Sequence, residues 1–353
     1  MKKITLVSLS NAMGMQLYCT QLANTLCESY DISIIVTKHF DDKLIDSRVT
    51  VYKYFTTKKP TIDIGLLNIS SYYKTNKILS ESDAIHILNS HPSIFVLELF
   101  NKKRNIIFSL HDPIPHTNNM MGKCRALIDR IIVKYSTKII IHSKMHYDTA
   151  LVKKYAYKTF MTPLASKKSN SHYLPLKNNN TFLFFGRIEE YKGLDLLIAA
   201  FEKLADKEFD FKCVIAGNGD FKNYSNLIRH PEYFEVNNRL IPEEEVQQLF
   251  EKCTFCIMTY KTASQSGVIP LSYYYSRPVI ATNIASLKEN VIQGETGFIV
   301  EKNIDEIASL LKKILNNDFN LDEMSKNAFK YGNQQLSMES MAKDCIDIYF
   351  IEG

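Results

Sequence analysis

Two cations five positions apart, Arg187 and Lys192, lie between Gly186 and Gly193, directly after the apolar run 181–185 and directly before the amphipathic run 194–205. A strand that ends in a cationic loop and then starts a helix gathers positive side chains and free backbone N–H groups at the carboxyl edge of a sheet. Open α/β sheets bind ligands at that edge. Two cations so placed suit one anionic group, most naturally a diphosphate. From this stretch alone, the other reading is a solvated pattern of surface charge. A second chemical point is His111, which follows an apolar run and stands beside Asp112 and near His116. Taken alone, a histidine at a strand end reads as a satisfied loop residue, and the same three side chains are alternative metal ligands. Cys253 and Cys256 form a lone CxxC; with no second pair or redox-motif context, plain packing is expected.

The elements that must position these groups alternate along the chain. Apolar runs at 3–8, 32–37, 49–54, 84–88, 105–110, 138–141 and 160–164 read as strands, with helical patterns at 16–28, 66–80, 93–101 and 123–135. A polar, turn-rich stretch, 165–180, reads as a linker. A second series follows, with strands at 181–185, 211–216, 255–260, 278–281 and 298–300 and helices at 194–205, 243–252, 304–315 and 338–350. Strands alternating with helices of this length predict parallel sheets covered on both faces. The expected chain is α/β, with two Rossmann-like, doubly wound domains facing across a cleft. They span residues 1–168 and 169–337, and the last helix, within 338–353, packs back on the first.

The carboxyl-terminal half also carries a resemblance. Gly186-Arg187 with Lys192-Gly193, the turn Ala216-Gly217-Asn218-Gly219, Arg239-Leu240-Ile241-Pro242-Glu243-Glu244, Gln265-Ser266-Gly267-Val268-Ile269-Pro270-Leu271, Arg277-Pro278-Val279-Ile280-Ala281-Thr282 and Gly294-Glu295-Thr296-Gly297 follow one another in order. Together they resemble glycosyltransferase family 4, whose enzymes have the GT-B fold, use sugar nucleotides and retain anomeric configuration. The resemblance extends more loosely to the first half through Ser109-Leu110-His111-Asp112-Pro113-Ile114-Pro115-His116.

The resemblance implies that Arg187 and Lys192 hold the donor diphosphate, that Gly186, Gly217 and Asn218 shape its loop, and that Arg239 and Ile241 border the nucleobase. It implies that Gly14, between the first strand and first helix, approaches the donor phosphates, and that His111 lies near the reacting sugar. Two glutamates eight positions apart are usual in this family, one for the donor sugar and one for the ribose. Serines, Ser264 and Ser272, occupy both positions here. A serine still forms hydrogen bonds but brings no charge and reaches less far. Backbone N–H groups of Gln265, Ser266, Gly267 and Val268, opening a helix over 267–275, are therefore expected to share in holding the donor. The alternative for Ser272 is a small residue packing that helix.

The 45% hydrophobic and 23% charged composition describes an ordinary globular chain with room for two domains. Its longest uninterrupted apolar run, 196–201, is far short of a membrane span, and the apolar stretch after Lys3 is too short for a signal peptide. Cytoplasmic placement is expected, with peripheral contact at the inner face of the cell membrane. Residues 1–170 carry 24 Lys+Arg against 12 Asp+Glu, net +12; the remainder carries 19 against 26, net −7, giving +5 for the chain. The basic half suits an anionic surface. Arg130, Lys134 and Lys138, at four-residue spacing, are expected to form a stripe facing lipid headgroups, or an ordinary solvated face. Nucleic acid is not expected, since no binding motif accompanies the charge.

The sequence thus points to a retaining glycosyltransferase that moves a sugar from a UDP- or GDP-linked donor to a glycan or lipid-linked acceptor in cell-surface polysaccharide or lipopolysaccharide synthesis. No cofactor and no metal are implied. The two serines support the alternative, a transfer-inactive scaffold that binds a sugar nucleotide or a partner enzyme.

Overall fold

The computed structural model describes residues 1–55, 69–96, 105–113, 120–177 and 179–351. The chain divides into two compact units, Met1–Lys168 with Met338–Gly353, and Ser169–Ser337.

In the first unit, seven strands form one sheet: β1 (Lys3–Ser8), β2 (Asp31–Thr37), β3 (Thr50–Phe55), β4 (Ala84–Ile87), β5 (Ile106–Ser109), β6 (Lys138–Ile141) and β7 (Thr159–Met161). Their order is β3-β2-β1-β4-β5-β6-β7, every pair parallel. These runs are rich in Ile and Val, which suits strands buried on both faces. The two-residue period sorts neighbours to opposite sides. Ile34 and Ile140 enter one core with Leu22 of α1 (Met13–Leu26). Ile35 and Ile139 enter the other core with Leu79 of α2 (Ile69–Ser80) and Ile132 of α3 (Met120–Tyr135). A short helix, α4 (Ala150–Lys154), precedes β7. The expected helix at 93–101 is instead a 3-10 turn over Pro92–Val96, and positions 97–101, like 66–68 of the expected second helix, lie outside the described residues.

In the second unit, β8 (Thr181–Phe185), β9 (Lys212–Ala216), β10 (Phe234–Asn237), β11 (Phe255–Met258), β12 (Val279–Thr282) and β13 (Gly297–Val300) form a parallel sheet in the order β10-β9-β8-β11-β12-β13. Its helices are α5 (Leu194–Ala205), α6 (Lys222–Ser225), α7 (Glu243–Lys252), α8 (Val268–Tyr274), α9 (Ala285–Lys288), α10 (Ile304–Leu315) and α11 (Leu321–Gln335). The chain winds outward from β8 to β10, then returns to β8's other side with β11. Successive connections therefore diverge between the carboxyl ends of β8 and β11, the place where such a sheet opens a binding crevice. The doubly wound α/β class expected from the sequence holds in both units.

Two details differ from the sequence reading. The stretch 169–177 is no free tether, because its backbone is tied to the second unit. Asn170 N donates to Asn333 Oδ1 at 2.9 Å, and the buried guanidinium of Arg277 donates to the carbonyls of Leu174 at 2.9 Å and Pro175 at 3.3 Å. Polar turn residues look like linker by composition even when structure satisfies them. Lys138, placed by spacing on a basic stripe with Arg130 and Lys134, belongs to β6. Its ammonium donates to the carbonyls of Tyr349 at 2.9 Å and Ile351 at 3.1 Å. It therefore caps the last helix, α12 (Met338–Phe350), whose Met341, Cys345 and Tyr349 enter the core beside α1.

Candidate functional site

At the end of β8 the backbone turns at Gly186, φ 113°. The following loop lies against the loop after β9. Ile188 N donates to Asn218 O at 2.9 Å, and Gly186 N donates to Ala216 O at 3.0 Å. The approach is too close for side chains, since a Cβ on Gly217, φ 156°, would stand 1.9 Å from Gly186 O. One on Gly219 would stand 2.2 Å from Ile188 O. Gly217 thus lets one loop pack directly on the other, and Asn218 contributes a backbone carbonyl that holds the 186–188 turn while its own side is exposed.

This packing fixes the two cations unequally. Arg187 has 72% of its side chain exposed and pairs with Glu189 at 2.7 Å. Lys192 is only 7% exposed. A Cβ on Gly186 would lie 2.6 Å from Lys192 Nζ, so the ammonium rests on the bare glycine. On another side it lies 5.2 Å from the centroid of the Tyr260 ring. Among the described residues the ammonium has no ion-pair or hydrogen-bond partner within contact distance. Burial pushes its pKa down, with the Arg187 charge adding to that shift and the neighbouring Tyr191 and Glu189 opposing it. A buried ammonium repelled by a guanidinium on the same loop is an electrostatic deficit, which one shared anion would relieve.

The loop leaving β11 completes the crevice. Tyr260 is buried, and Lys261 N donates to Tyr191 O at 2.6 Å, while Lys261 Nζ pairs with Asp195 at 2.9 Å. The loops after β8 and β11 are thereby tied together. Ser264, Gln265, Ser266 and Val268 are half-buried and Gly267 is exposed. The helix begins one residue later than expected and is seven residues long, and Val268 N already donates to Ser266 Oγ at 3.2 Å. Of the four N–H groups expected to receive a ligand, Val268's is engaged within the protein.

Ser272 stands apart. It is fully buried, and its hydroxyl donates to Arg277 O at 2.8 Å. It fastens the end of α8 and presents no surface to a ribose, which is the packing role rather than the ligand role. Arg239 and Ile241 follow β10, two strands from β8. Arg239 is exposed and pairs with Glu245, and Ile241 is half-buried against the core.

The remaining candidates belong to the first unit. Gly14 is not between strand and helix but inside the first turn of α1, and a Cβ there would meet nothing within 4 Å. His111 follows β5 and is largely buried. Its Nε2 lies 2.9 Å from Leu88 O, its ring 4.8 Å from that of His142 and 5.6 Å, edge-on, from Tyr18. His116 lies outside the described residues. Among the described residues no three His, Cys, Asp or Glu side chains are grouped to hold a metal ion. Cys253 and Cys256 are both buried free thiols, with Cys253 pushed up to about 12 by burial. This is the inert, packed behaviour expected of them.

The structure therefore gathers Gly186, Arg187, Lys192 and the 264–268 loop, and leaves out Ser272. It adds Tyr260, which the sequence reading placed only as the end of a strand. An aromatic at the end of β11 becomes informative once β11 is known to neighbour β8.

Residues 179–317 match the family model described as Glycosyl transferases group 1. An uncharacterised glycosyltransferase of Methanocaldococcus jannaschii is 29% identical over 275 residues, covering 72% of this chain and 72% of the relative. The capsular polysaccharide biosynthesis glycosyltransferase CapM of Staphylococcus aureus is 25% identical over 194 residues, 53% of this chain and 50% of the relative. The structure of Anabaena HepE in complex with UDP-glucose matches with a TM-score of 0.72 at 16% identity, covering 98% of this chain and 100% of that one. The two parallel-sheet units share the GT-B fold of such structures, and the similarities to glycosyltransferases mark the chain as a transferase enzyme. The matched stretch lies within the second unit and contains the Lys192 crevice.

Proposed function

We propose that this enzyme transfers a sugar from a UDP- or GDP-linked donor to a glycan or lipid-linked acceptor in the assembly of a cell-surface polysaccharide or lipopolysaccharide. The observation that carries the proposal is the buried, uncompensated Lys192 beside Arg187 at the point where the strand order diverges. When the sugar leaves, negative charge builds on a phosphate oxygen, and fixed cations in a water-poor crevice stabilise that charge. Two relatives' descriptions agree with the reading: CapM is named for capsular polysaccharide biosynthesis, and HepE is described in complex with UDP-glucose. The anomeric configuration is retained by attack on the face from which the diphosphate departs, with the departing phosphate taking the acceptor's proton. No side-chain nucleophile is then needed.

The donor belongs to the second unit and the acceptor to the basic first unit. In that unit Arg130, Lys134 and Leu127 of α3 are exposed, a composition suited to anionic headgroups around a lipid-linked acceptor. No helix among the described residues is long and apolar enough to cross a membrane, so contact with lipid would be peripheral. Binding to anionic liposomes at low salt, lost at high salt, tests that part; no flotation at low salt refutes it.

The decisive assay incubates the protein with UDP- and GDP-sugars, with and without lipid-linked acceptor extract. Acceptor-dependent release of nucleoside diphosphate is expected. Tight binding without release would instead mark the transfer-inactive scaffold suggested by Ser264 and Ser272. Lys192→Ala should weaken nucleoside diphosphate binding by roughly 10- to 100-fold, the worth of one charge-assisted contact. Unchanged binding and turnover in both Lys192→Ala and Arg187→Ala would overturn the diphosphate assignment.

A further inference from the structure

Among the described residues two neighbours stand directly at the charged end of Lys192, while Tyr191, Arg187, Glu189 and Cys256 act on it by charge. One of the two neighbours is Gly186, which offers only the absence of a side chain; the other is the Tyr260 ring, 5.2 Å from the ammonium. A flexible four-carbon stem with no hydrogen bond or ion pair among the described residues would ordinarily sample several rotamers. Here an aromatic face supplies the attraction that a carboxylate would supply elsewhere, without neutralising the charge. That distinction matters in a crevice meant for an anion, because a carboxylate partner would compete with the ligand.

Tyr260 is itself rigidly set. Its ring is buried edge-on to Tyr191 at 6.0 Å, and its carbonyl accepts from the buried Thr282 hydroxyl at 2.6 Å. The preceding residue, Thr259, donates its hydroxyl to Gly193 O at 2.8 Å. The end of β11 thus holds the cationic loop through backbone as well as ring. The phenol hydroxyl, also buried, makes no hydrogen bond of good geometry among the described residues, although the Ser266 side chain lies near enough to act on it. Its removal would cost at most that weak contact, because Ser266 Oγ already accepts from Val268 N at 3.2 Å.

We propose that Tyr260 is a positioning residue of the anion site: its ring face, not its hydroxyl, fixes Lys192 in the charged, inward-facing arrangement that receives a nucleoside diphosphate. The inference rests on the diphosphate reading of Lys192 and names the device that makes it work in this chain.

UDP and GDP binding to the full chain is measured by calorimetry across pH 7 to 10.5 for wild type, Tyr260→Phe, Tyr260→Leu and Lys192→Ala. Thermal unfolding is followed in parallel, so that only folded variants are compared. Tyr260→Phe keeps the ring and is expected to bind like wild type with the same alkaline limb. Tyr260→Leu is expected to bind roughly 3- to 30-fold more weakly. Its alkaline limb should move to lower pH, because losing the ring removes a stabiliser of the protonated lysine while burial remains. A merely structural role for the ring would lower thermal stability without moving that limb. Should Tyr260→Leu match wild type in affinity and pH profile while Lys192→Ala binds weakly, the positioning role is overturned and the diphosphate reading stands. Wild type that binds neither UDP nor GDP overturns both. If Tyr260→Leu proves unfolded, Tyr260→Met, which fills similar volume without a π face, replaces it and carries the same expectations.

Discussion

Desolvating an ammonium without a counter-charge is costly, and Lys192 bears that cost in the free protein beside a second cation. Evolution's usual remedies, a carboxylate or several carbonyls, are used elsewhere in this chain. The buried ammonium of Lys158 donates to the carbonyls of Val133 at 2.7 Å and Ser136 at 2.6 Å. The buried guanidinium of Arg277 is likewise surrounded by carbonyls. Among the described residues Lys192 has no such partner, and that difference from Lys158 and Arg277 is what the proposed anion site would use. The same contrast decides between serines. Ser272→Ala should cost about 1 kcal/mol of stability, through loss of its bond to Arg277 O, and leave UDP and GDP affinity unchanged. Denaturant unfolding and calorimetry of that variant check both halves; weakened nucleotide binding at intact stability would restore a ribose role.

At the scale of elements, the crevice exists because two loops touch backbone to backbone. Gly217→Ala would drive a Cβ onto Gly186 O and force φ 156° on an L side chain, so a loss of about 2–4 kcal/mol is expected, with nucleotide affinity falling because the 186–188 turn moves. Chemical denaturation read with a UDP titration checks it, and wild-type stability in that variant would contradict the geometry. Most strands were legible as apolar β-branched runs, and α5, α7, α10 and α12 were legible from helical periodicity. The short helices α4, α6 and α9, each of four or five residues, were not, and neither were β10 and α11. β10 is four residues long at a sheet edge with one buried residue, Phe234. α11 buries Leu321, Met324, Ser325, Ala328 and Gly332 at helical spacing, but three of these are too small or polar to register as an apolar stripe. They are small because Gly332 lies against Tyr273 of α8, where a Cβ would stand 2.6 Å from Tyr273 Cβ.

For the molecule as a whole, the chain's return to its first unit is a matter of packing. α12 places Met341, Cys345 and Tyr349 in the core with α1, and Tyr349's hydroxyl lies 2.5 Å from His86 Nδ1 in the centre of the sheet. A chain ending before Met338 should therefore fail to fold its first unit, giving insoluble protein or loss of cooperative unfolding. Cooperative unfolding at wild-type temperature in that truncation would refute the assignment. The buried histidines add a pH dependence. Burial lowers His86 from 6.5 to about 3 and His142 well below its ordinary value. Below pH 6.5 the unfolded chain binds protons that the folded chain refuses, so stability present at neutral pH is lost as pH falls from 6.5 toward 3. Each histidine contributes a slope of up to about 1.4 kcal/mol per pH unit. Urea unfolding at pH 5, 6 and 7 measures that slope, and His86→Leu should reduce it by one proton.

The sequence alone determined the α/β class, the two series of strands and helices, and the cationic loop after β8, because local periodicity and loop composition are properties of neighbouring residues. Taken alone that loop was open between an anion cradle and surface charge, and the resemblance carried by the ordered motifs after it favoured the cradle. Only the tertiary structure decided that β11 returns beside β8, that Lys192 is buried against Tyr260 while Arg187 stays in solvent, and that Ser272 and Lys138 serve packing and capping. Those outcomes depend on contacts between segments tens to hundreds of residues apart, which no local pattern of residues encodes.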